Sequence, residues 1–463
     1  MPAQNSIAET MDVSTKIDGL MRRLHASAQG DLHQILIADY SLADIYRHHL
    51  DRSYPVSRRP IVRATEVSWR VFRVFFGDSL ALWICATLWT LVGLPSVISL
   101  SLRLHQAAYA RSGSSNAEII LLCTGVANEA RIAEWLANKH SDYKVSSLLR
   151  DASASCEWRS LFYLPGLLRN HLALCYRAVQ TMQSIKGGDA LSRDEFSLMV
   201  PGWMVLLSRR AADISWAYQW AGNFVEVDRI SHLYFTMNYA YESAFQHALP
   251  NAEAAYVEHG FPRRDIPPLA CKQYVYSEGY AAYLKSFNEQ LDVQVIGLEY
   301  FHKGKIEPTQ TIVIATLQNW PQYKIDGVKD IFNQALAAAR GAGWKLVFRT
   351  RAYDTDAFSS ALNGPWDEIS LAKQESFTEC LERIRPAMVW TTWSTAILDA
   401  QAMGVSPVAF VTPDIDKYFI ADIGAFAHVV MPNNAGLSEL ITGLEVDTYS
   451  DLGETCSLSS LIG

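Results

Sequence analysis

The sequence predicts an α/β protein made of two Rossmann-like domains facing across a cleft, preceded by a helical N-terminal region. Three observations carry this reading. Short apolar, strand-like runs alternate with helix-period segments in two successive series, over residues 117–300 and 310–450. Polar linkers, Ala110 to Asn116 and Lys303 to Thr309, bound the first series. Before residue 112 apolar residues recur at helical spacing instead.

Taken in order, Leu32 to Leu50 and Val62 to Phe76 carry the helical period, so residues 1–112 read as a helical accessory region. Glu118 to Cys123 is a buried-strand run, Thr124-Gly125 a turn, Ala127 to Asn138 a helix and Tyr143 to Leu149 a second strand. Helical material follows from Ser160 to Ile185. Strand character resumes at His232 to Met237, then comes a helix over Tyr241 to Ala248 and a strand over Ala254 to Val257 that stops at Glu258-His259-Gly260. Gln273 to Tyr276 and Val293 to Ile296 complete the first half. The second half runs through strand Thr311 to Thr316, helix Val328 to Ala342, strand Trp344 to Arg349 and strand Met388 to Thr392. Helix-forming residues after Trp393, the apolar strand Val405 to Val411 and a last helix over Gly436 to Leu444 close it.

Acidic residues number 48 against 40 Lys plus Arg, a net charge of −8, which argues against a nucleic-acid partner. Seven cysteines are scattered singly, with no Cys-x-x-Cys pair and no metal-ligand spacing, so neither a disulfide framework nor a zinc site is expected and the thiols suit a cytoplasmic setting. No basic-then-apolar secretory pattern opens the chain. Ser79 to Leu102 holds 24 residues without a charge, long enough to cross a bilayer, and Arg58, Arg59, Arg63, Arg70 and Arg73 precede it. Gly93-Leu94-Pro95 interrupts it, so a broken, in-plane or re-entrant element fits at least as well as a spanning helix, and a buried pair of core helices is the alternative. A membrane surface is therefore an expected partner, with the chain peripheral on the inner face of the cell membrane.

In paired Rossmann-like sheets ligands bind beyond the carboxyl ends of strands, so the informative residues should follow strands. His259 before Gly260 places an imidazole on a tight turn, suited to proton transfer near neutral pH, with Glu258 beside it as base or orienter. Successive residues of an extended strand point to opposite faces, so only one of the pair should face the cleft. Arg349 and Arg351 alternate with Thr350, which sets both guanidinium groups on one side to hold a diphosphate or a carboxylate. Gln318 and Asn319 offer amides to a base or sugar edge. Ser394 and Thr395 open a helix whose first turn could hold phosphate, with Asp399 about one turn on, within reach of a sugar hydroxyl. An ordinary βαβ crossover, with Ser394 only capping the helix, is the alternative.

The order of a strand into His-Gly, a strand into Leu-Gln, a strand into a basic cluster, and then Ser-Thr-x-x-x-Asp-Ala-x-x-x-Gly before an apolar strand resembles the GT-B glycosyltransferases of bacterial capsule and surface polysaccharide synthesis, the group with a Gln-His-Gly element. The resemblance covers roughly residues 117 to 447. It implies an acceptor domain at 117–300, with His259-Gly260 in the cleft near the acceptor, and a nucleotide-sugar domain at 310–450. The place of a phosphate-contacting Lys-Pro-His-Pro element is taken by Arg349-Thr350-Arg351, and phosphate and ribose binding fall on Ser394, Thr395 and Asp399. Glu258 stands where that group has Gln, the His-Pro pair is absent, and Asp399 stands where Glu is usual.

The implied function is metal-independent transfer of a sugar from a nucleotide-activated donor, such as a CMP-activated ulosonic acid, to a surface polysaccharide or lipid-linked glycan acceptor, without a cofactor. His259 or Glu258 would be the catalytic base, and Gln318, Asn319, Arg349, Arg351, Ser394, Thr395 and Asp399 would bind the donor. Alditol-phosphate transfer of teichoic-acid type, nucleotide-sugar epimerisation and a catalytically silent membrane scaffold are the alternatives.

Overall fold

The computed structural model describes residues 15–27, 35–36, 42, 45–46, 49–50, 59–109, 118–123, 127–143, 145–149, 164–188, 191–224, 229–236, 240–260, 272–315, 322–350, 362, 364–392, 394–411, 422–431 and 435–446. Two six-stranded, all-parallel sheets follow a helical N-terminal region. The first contains β1 (Ile119–Cys123), β2 (Val145–Leu149), β3 (His232–Phe235), β4 (Glu253–Val257), β5 (Lys272–Val275) and β6 (Asp292–Val295), in the order β2-β1-β3-β4-β5-β6. The second contains β7 (Thr309–Ala315), β8 (Lys345–Arg349), β9 (Glu368–Ser370), β10 (Pro386–Thr391), β11 (Ser406–Phe410) and β12 (His428–Val430), in the order β12-β11-β10-β7-β8-β9. Counted from β7, that is the 3-2-1-4-5-6 order of the Rossmann fold, while the first sheet begins with the 2-1-3 order of flavodoxin-like sheets. The strand order reverses between β1 and β3 in one sheet and between β7 and β10 in the other. In sheets of this kind the ligand crevice lies at those points, beyond the strand ends.

Eleven helices are numbered here: α1 (Arg59–Tyr109), α2 (Ala127–Lys139), α3 (Leu164–Gly187), α4 (Arg193–Arg209), α5 (Ala211–Phe224), α6 (Ala240–Ala248), α7 (Glu278–Phe287), α8 (Gln322–Gly341), α9 (Phe377–Ile384), α10 (Ala396–Ala402) and α11 (Ala435–Val446). The strands read as apolar runs because helices cover both faces of a parallel sheet. Along β1 the side chains alternate. Ile120 and Leu122 join a core with Trp203 of α4, Leu82 of α1 and Phe235 of β3, whereas Ile119 and Leu121 pack with Ile132 and Leu136 of α2. Helices α3 to α5, inserted between β2 and β3, pack with α1. One face of the first sheet is thereby covered by chain from both the N-terminal region and this insertion. In the second sheet Ile312, Ile314, Phe348, Trp390 and Phe410 meet Phe332 and Leu336 of α8, while Val313, Val347 and Val389 meet Leu381 of α9 and Ala400 of α10.

The expected interruption at Gly93-Leu94-Pro95 is absent. Helix α1 passes through Pro95 and kinks instead at Gly77, whose φ of 70° is a conformation that a residue without a Cβ adopts readily. Nor is the 79–102 stretch a pair of helices, since it lies wholly in the arm of α1 that follows the kink. Gly93 serves packing: a Cβ there would lie 3.1 Å from the Ser208 carbonyl oxygen and 3.2 Å from Cε1 of His171, so its absence lets α1 approach α3 and α4 closely. Residues 60–96 are long and apolar enough to cross a membrane, yet Leu82, Cys85 and Ala86 on one side are buried in the helical core. Cys85, Cys175 and Cys380 are buried free thiols, and burial pushes the Cys85 thiol up to about 11.

Candidate functional site

The carboxyl end of β4 reaches the second domain. A Cβ on Gly260 would sit 3.4 Å from Cγ2 of Thr395, so the His259-Gly260 turn lies directly against the start of α10. The linker reinforces this closeness: the Gly304 amide donates to the Ala402 carbonyl at 3.2 Å, and Leu398 of α10 packs in the core that lines the first sheet. Two strand ends separated by more than a hundred residues of chain therefore share one junction.

His259 turns toward β3. Its Nδ1 lies 2.6 Å from the Thr236 carbonyl oxygen. A carbonyl only accepts, so Nδ1 donates, and Nε2 is the basic nitrogen of the neutral ring. Burial lowers the His259 pKa, against the charge of Glu129, and keeps the ring neutral near pH 7. The Glu129 carboxylate, buried in the first turn of α2, accepts a 2.7 Å hydrogen bond from the Thr236 hydroxyl. Thr236 thus links the histidine to an acid at the β1/β3 crevice.

Glu258 reaches toward β5, the neighbour of β4 on the side away from β3. It is 2% exposed, and its Oε2 accepts from the Tyr276 amide at 2.6 Å. The Tyr300 hydroxyl donates to the Glu258 carbonyl oxygen. Burial, reinforced by the Glu258 charge, holds the Tyr276 and Tyr300 phenols well above their ordinary range. Both lie near the junction, since Tyr276 packs against Phe426 of the second domain, and His259 is the one that adjoins the Gly260 contact with Thr395.

On the other side, Ser394 is buried and its Oγ accepts from the Ala396 amide at 3.3 Å, the capping contact of an ordinary crossover. Thr395 precedes α10 with no side-chain cap bond, and α10 itself is only seven residues long. At the end of β10, beside the β7/β10 crevice, the Thr391 and Thr392 hydroxyls are fully buried and have no hydrogen-bond partner among the described residues. Buried hydroxyls without partners are costly, and a bound polar group would satisfy them. Sequence reasoning passed over both threonines in favour of Ser394. Their signal was position at a strand terminus, not residue type.

Asp399 is buried and paired with Arg131 of α2, whose Nη2 also donates to the Thr378 hydroxyl of α9 at 3.2 Å. Burial raises the Asp399 pKa and the Arg131 charge opposes that rise. The pair ties the two domains together, and in this arrangement the carboxylate is held by Arg131. Arg349 is also buried: Nη1 donates to the Ser370 hydroxyl at 2.6 Å and Nη2 to the Glu375 carbonyl at 2.5 Å, with the Glu375 carboxylate 3.7 Å from Nη1. Hydrogen bonds from Arg383, more than those from Ser370, bring Glu375 down to about 2 against its own burial. Arg349 therefore anchors β9 and the approach to α9. Gln318, Asn319 and Arg351 lie outside the described residues.

Among the described residues no three His, Cys, Asp or Glu side chains converge as metal ligands. The junction offers a neutral imidazole on one wall and unsatisfied hydroxyls on the other. The chain matches no protein-family model and no curated protein.

Proposed function

We propose that the chain is a GT-B-type glycosyltransferase that moves a sugar from a nucleotide-activated donor to a glycan or lipid-linked acceptor in the cleft between its two domains. The observation that carries this reading is the contact of the His259-Gly260 turn with Thr395, which joins a base-competent imidazole to the β7/β10 end of the second sheet. Nε2 of His259 takes the proton of the acceptor hydroxyl as its oxygen bonds to the anomeric carbon. The bond from that carbon to the donor phosphate breaks, and its electron pair leaves with the nucleotide. One of the Thr391 and Thr392 hydroxyls donates toward the phosphate, since neighbouring strand residues face opposite ways, an interaction of most value in a water-poor crevice. A CMP-activated ulosonic acid is the donor favoured by resemblance to the capsule enzymes.

Calorimetry of the full chain against CMP, UDP, GDP and CDP tests the reading. One nucleotide should bind saturably, and Thr391→Val with Thr392→Val should weaken it. If none of the four binds, the donor site is not there.

A further inference from the structure

A second site lies far along α1, at the Gly77 kink. A cavity of about 670 Å³ opens there, lined by Arg70, Arg73, Lys186 and Arg193 with a single carboxylate, Asp78. Four cations against one anion leave an excess of three positive charges. Asp78 fixes the cluster: Arg73 Nε donates to it at 2.7 Å, and Lys186 and Arg193 lie 3.2 and 3.4 Å away. Ser197 accepts from Arg73 at 2.9 Å. Arg70 has no such partner among the described residues and projects into solvent.

The rim of this cavity is apolar. Val74 is 81% exposed and Phe75 is 75% exposed, and beyond the kink Leu80, Leu88, Leu91 and Val92 continue an exposed apolar face. A helix apolar on all sides needs cover on all sides, and among the described residues past the kink it is buried toward Ala81, Leu82, Cys85, Ala86 and Thr90, with Leu80, Leu88, Leu91 and Val92 left uncovered. Large exposed apolar patches mark interaction surfaces. A fixed cluster of positive charge beside protruding Phe and Val side chains matches the order of a lipid leaflet, with phosphates outside and acyl chains beneath. A soluble phosphate would have no use for the apolar rim. A second copy docked symmetrically would set one basic cavity against another.

We infer that this face of α1 docks in the plane of an anionic phospholipid leaflet, with a lipid phosphate in the Gly77 cavity and Val74, Phe75 and Leu80 dipping into the acyl layer. The inference is independent of the transferase reading, because vesicle binding needs neither donor nor acceptor.

The test is flotation of the full chain with phosphatidylcholine vesicles and with vesicles that also contain phosphatidylglycerol. The chain should float with the anionic vesicles and much less with the neutral ones. Each basic residue near an anionic leaflet contributes about a five-fold factor in partitioning, so Arg70→Glu with Arg193→Glu should weaken binding at least about 25-fold. Arg70→Lys with Arg193→Lys should retain it, and Phe75→Ser should weaken it on vesicles of either composition, all with wild-type circular dichroism. Equal flotation on both vesicle types, or a charge reversal without effect, overturns the inference. So does a dimer in sedimentation equilibrium that forms in place of vesicle binding, or uptake of inorganic phosphate that persists unchanged in Phe75→Ser while vesicles fail to bind.

Discussion

Replacing Arg131 with methionine removes one partner of the pair that joins the domains. The Asp399 side chain is 9% exposed and Arg131 26%, so the carboxylate loses its counter-charge in a nearly dry site, while the methionine preserves much of the packing beside Phe301. Removing one member of a buried pair costs on the order of 3–5 kcal/mol, and the partial exposure of Arg131 places this case near about 3 kcal/mol. For a cooperative unit of roughly 150–250 residues that is a fall of roughly 6–12 °C in Tm. The pH dependence follows from the direction of the Asp399 shift. A carboxyl whose native pKa lies above its unfolded value favours the native state while protonated and loses that contribution as pH rises through the native pKa. Without Arg131 the native pKa climbs further, so the deficit of Arg131→Met should be largest at neutral pH and shrink on acidification. Asp399→Asn added to Arg131→Met should restore part of the lost Tm. Differential scanning fluorimetry of the three variants across pH checks this. A Tm for Arg131→Met equal to wild type at neutral pH, or a deficit that does not change with pH, refutes the reasoning.

Gly93→Leu should cost about 1–3 kcal/mol by forcing α1 away from the Ser208 carbonyl and the His171 ring, read as a lower Tm and reduced helical ellipticity; an unchanged Tm would show that the crossing has slack. Arg349→Ala strands the Glu375 carbonyl and should lower stability by about 1.5–3 kcal/mol while leaving nucleotide affinity intact. Lost affinity in a variant of wild-type Tm would make Arg349 a donor contact instead.

Much of the sheet architecture was legible because parallel strands are buried on both faces. Ile119 to Cys123 and Thr311 to Ala315 announce themselves as apolar runs, and their ends mark where ligands gather. The three-residue strands Glu368–Ser370 and His428–Val430 were not legible, being too short to show a period. Helix α4 received no assignment from the sequence; in the fold it carries Pro201 within it, and Gly202 makes room for Leu42. At α1 the proline drew attention and the glycine mattered: Pro95 is carried within the helix, while Gly77 supplies the positive φ of the kink. The placement of Glu258 and His259 just past the end of β4 followed from the sequence pattern. The partners of Asp399 and Arg349 did not, because Arg131 is 268 residues from Asp399 in sequence and no local pattern encodes such a pairing.

The central claim is that His259 removes a proton at the junction of the two sheets, and turnover of His259→Ala beside Glu258→Gln tests it most directly. With the donor whose nucleotide binds the wild-type chain, His259→Ala should lose about 10²–10⁴-fold in kcat while nucleotide affinity stays unchanged, since loss of a general base acts on the chemical step. Glu258→Gln, which changes a carboxylate buried against the Tyr276 amide, should act mainly on Tm. Full transfer activity in His259→Ala, with Glu258→Gln or Glu129→Gln inactive at wild-type Tm, would place the base elsewhere and contradict the account.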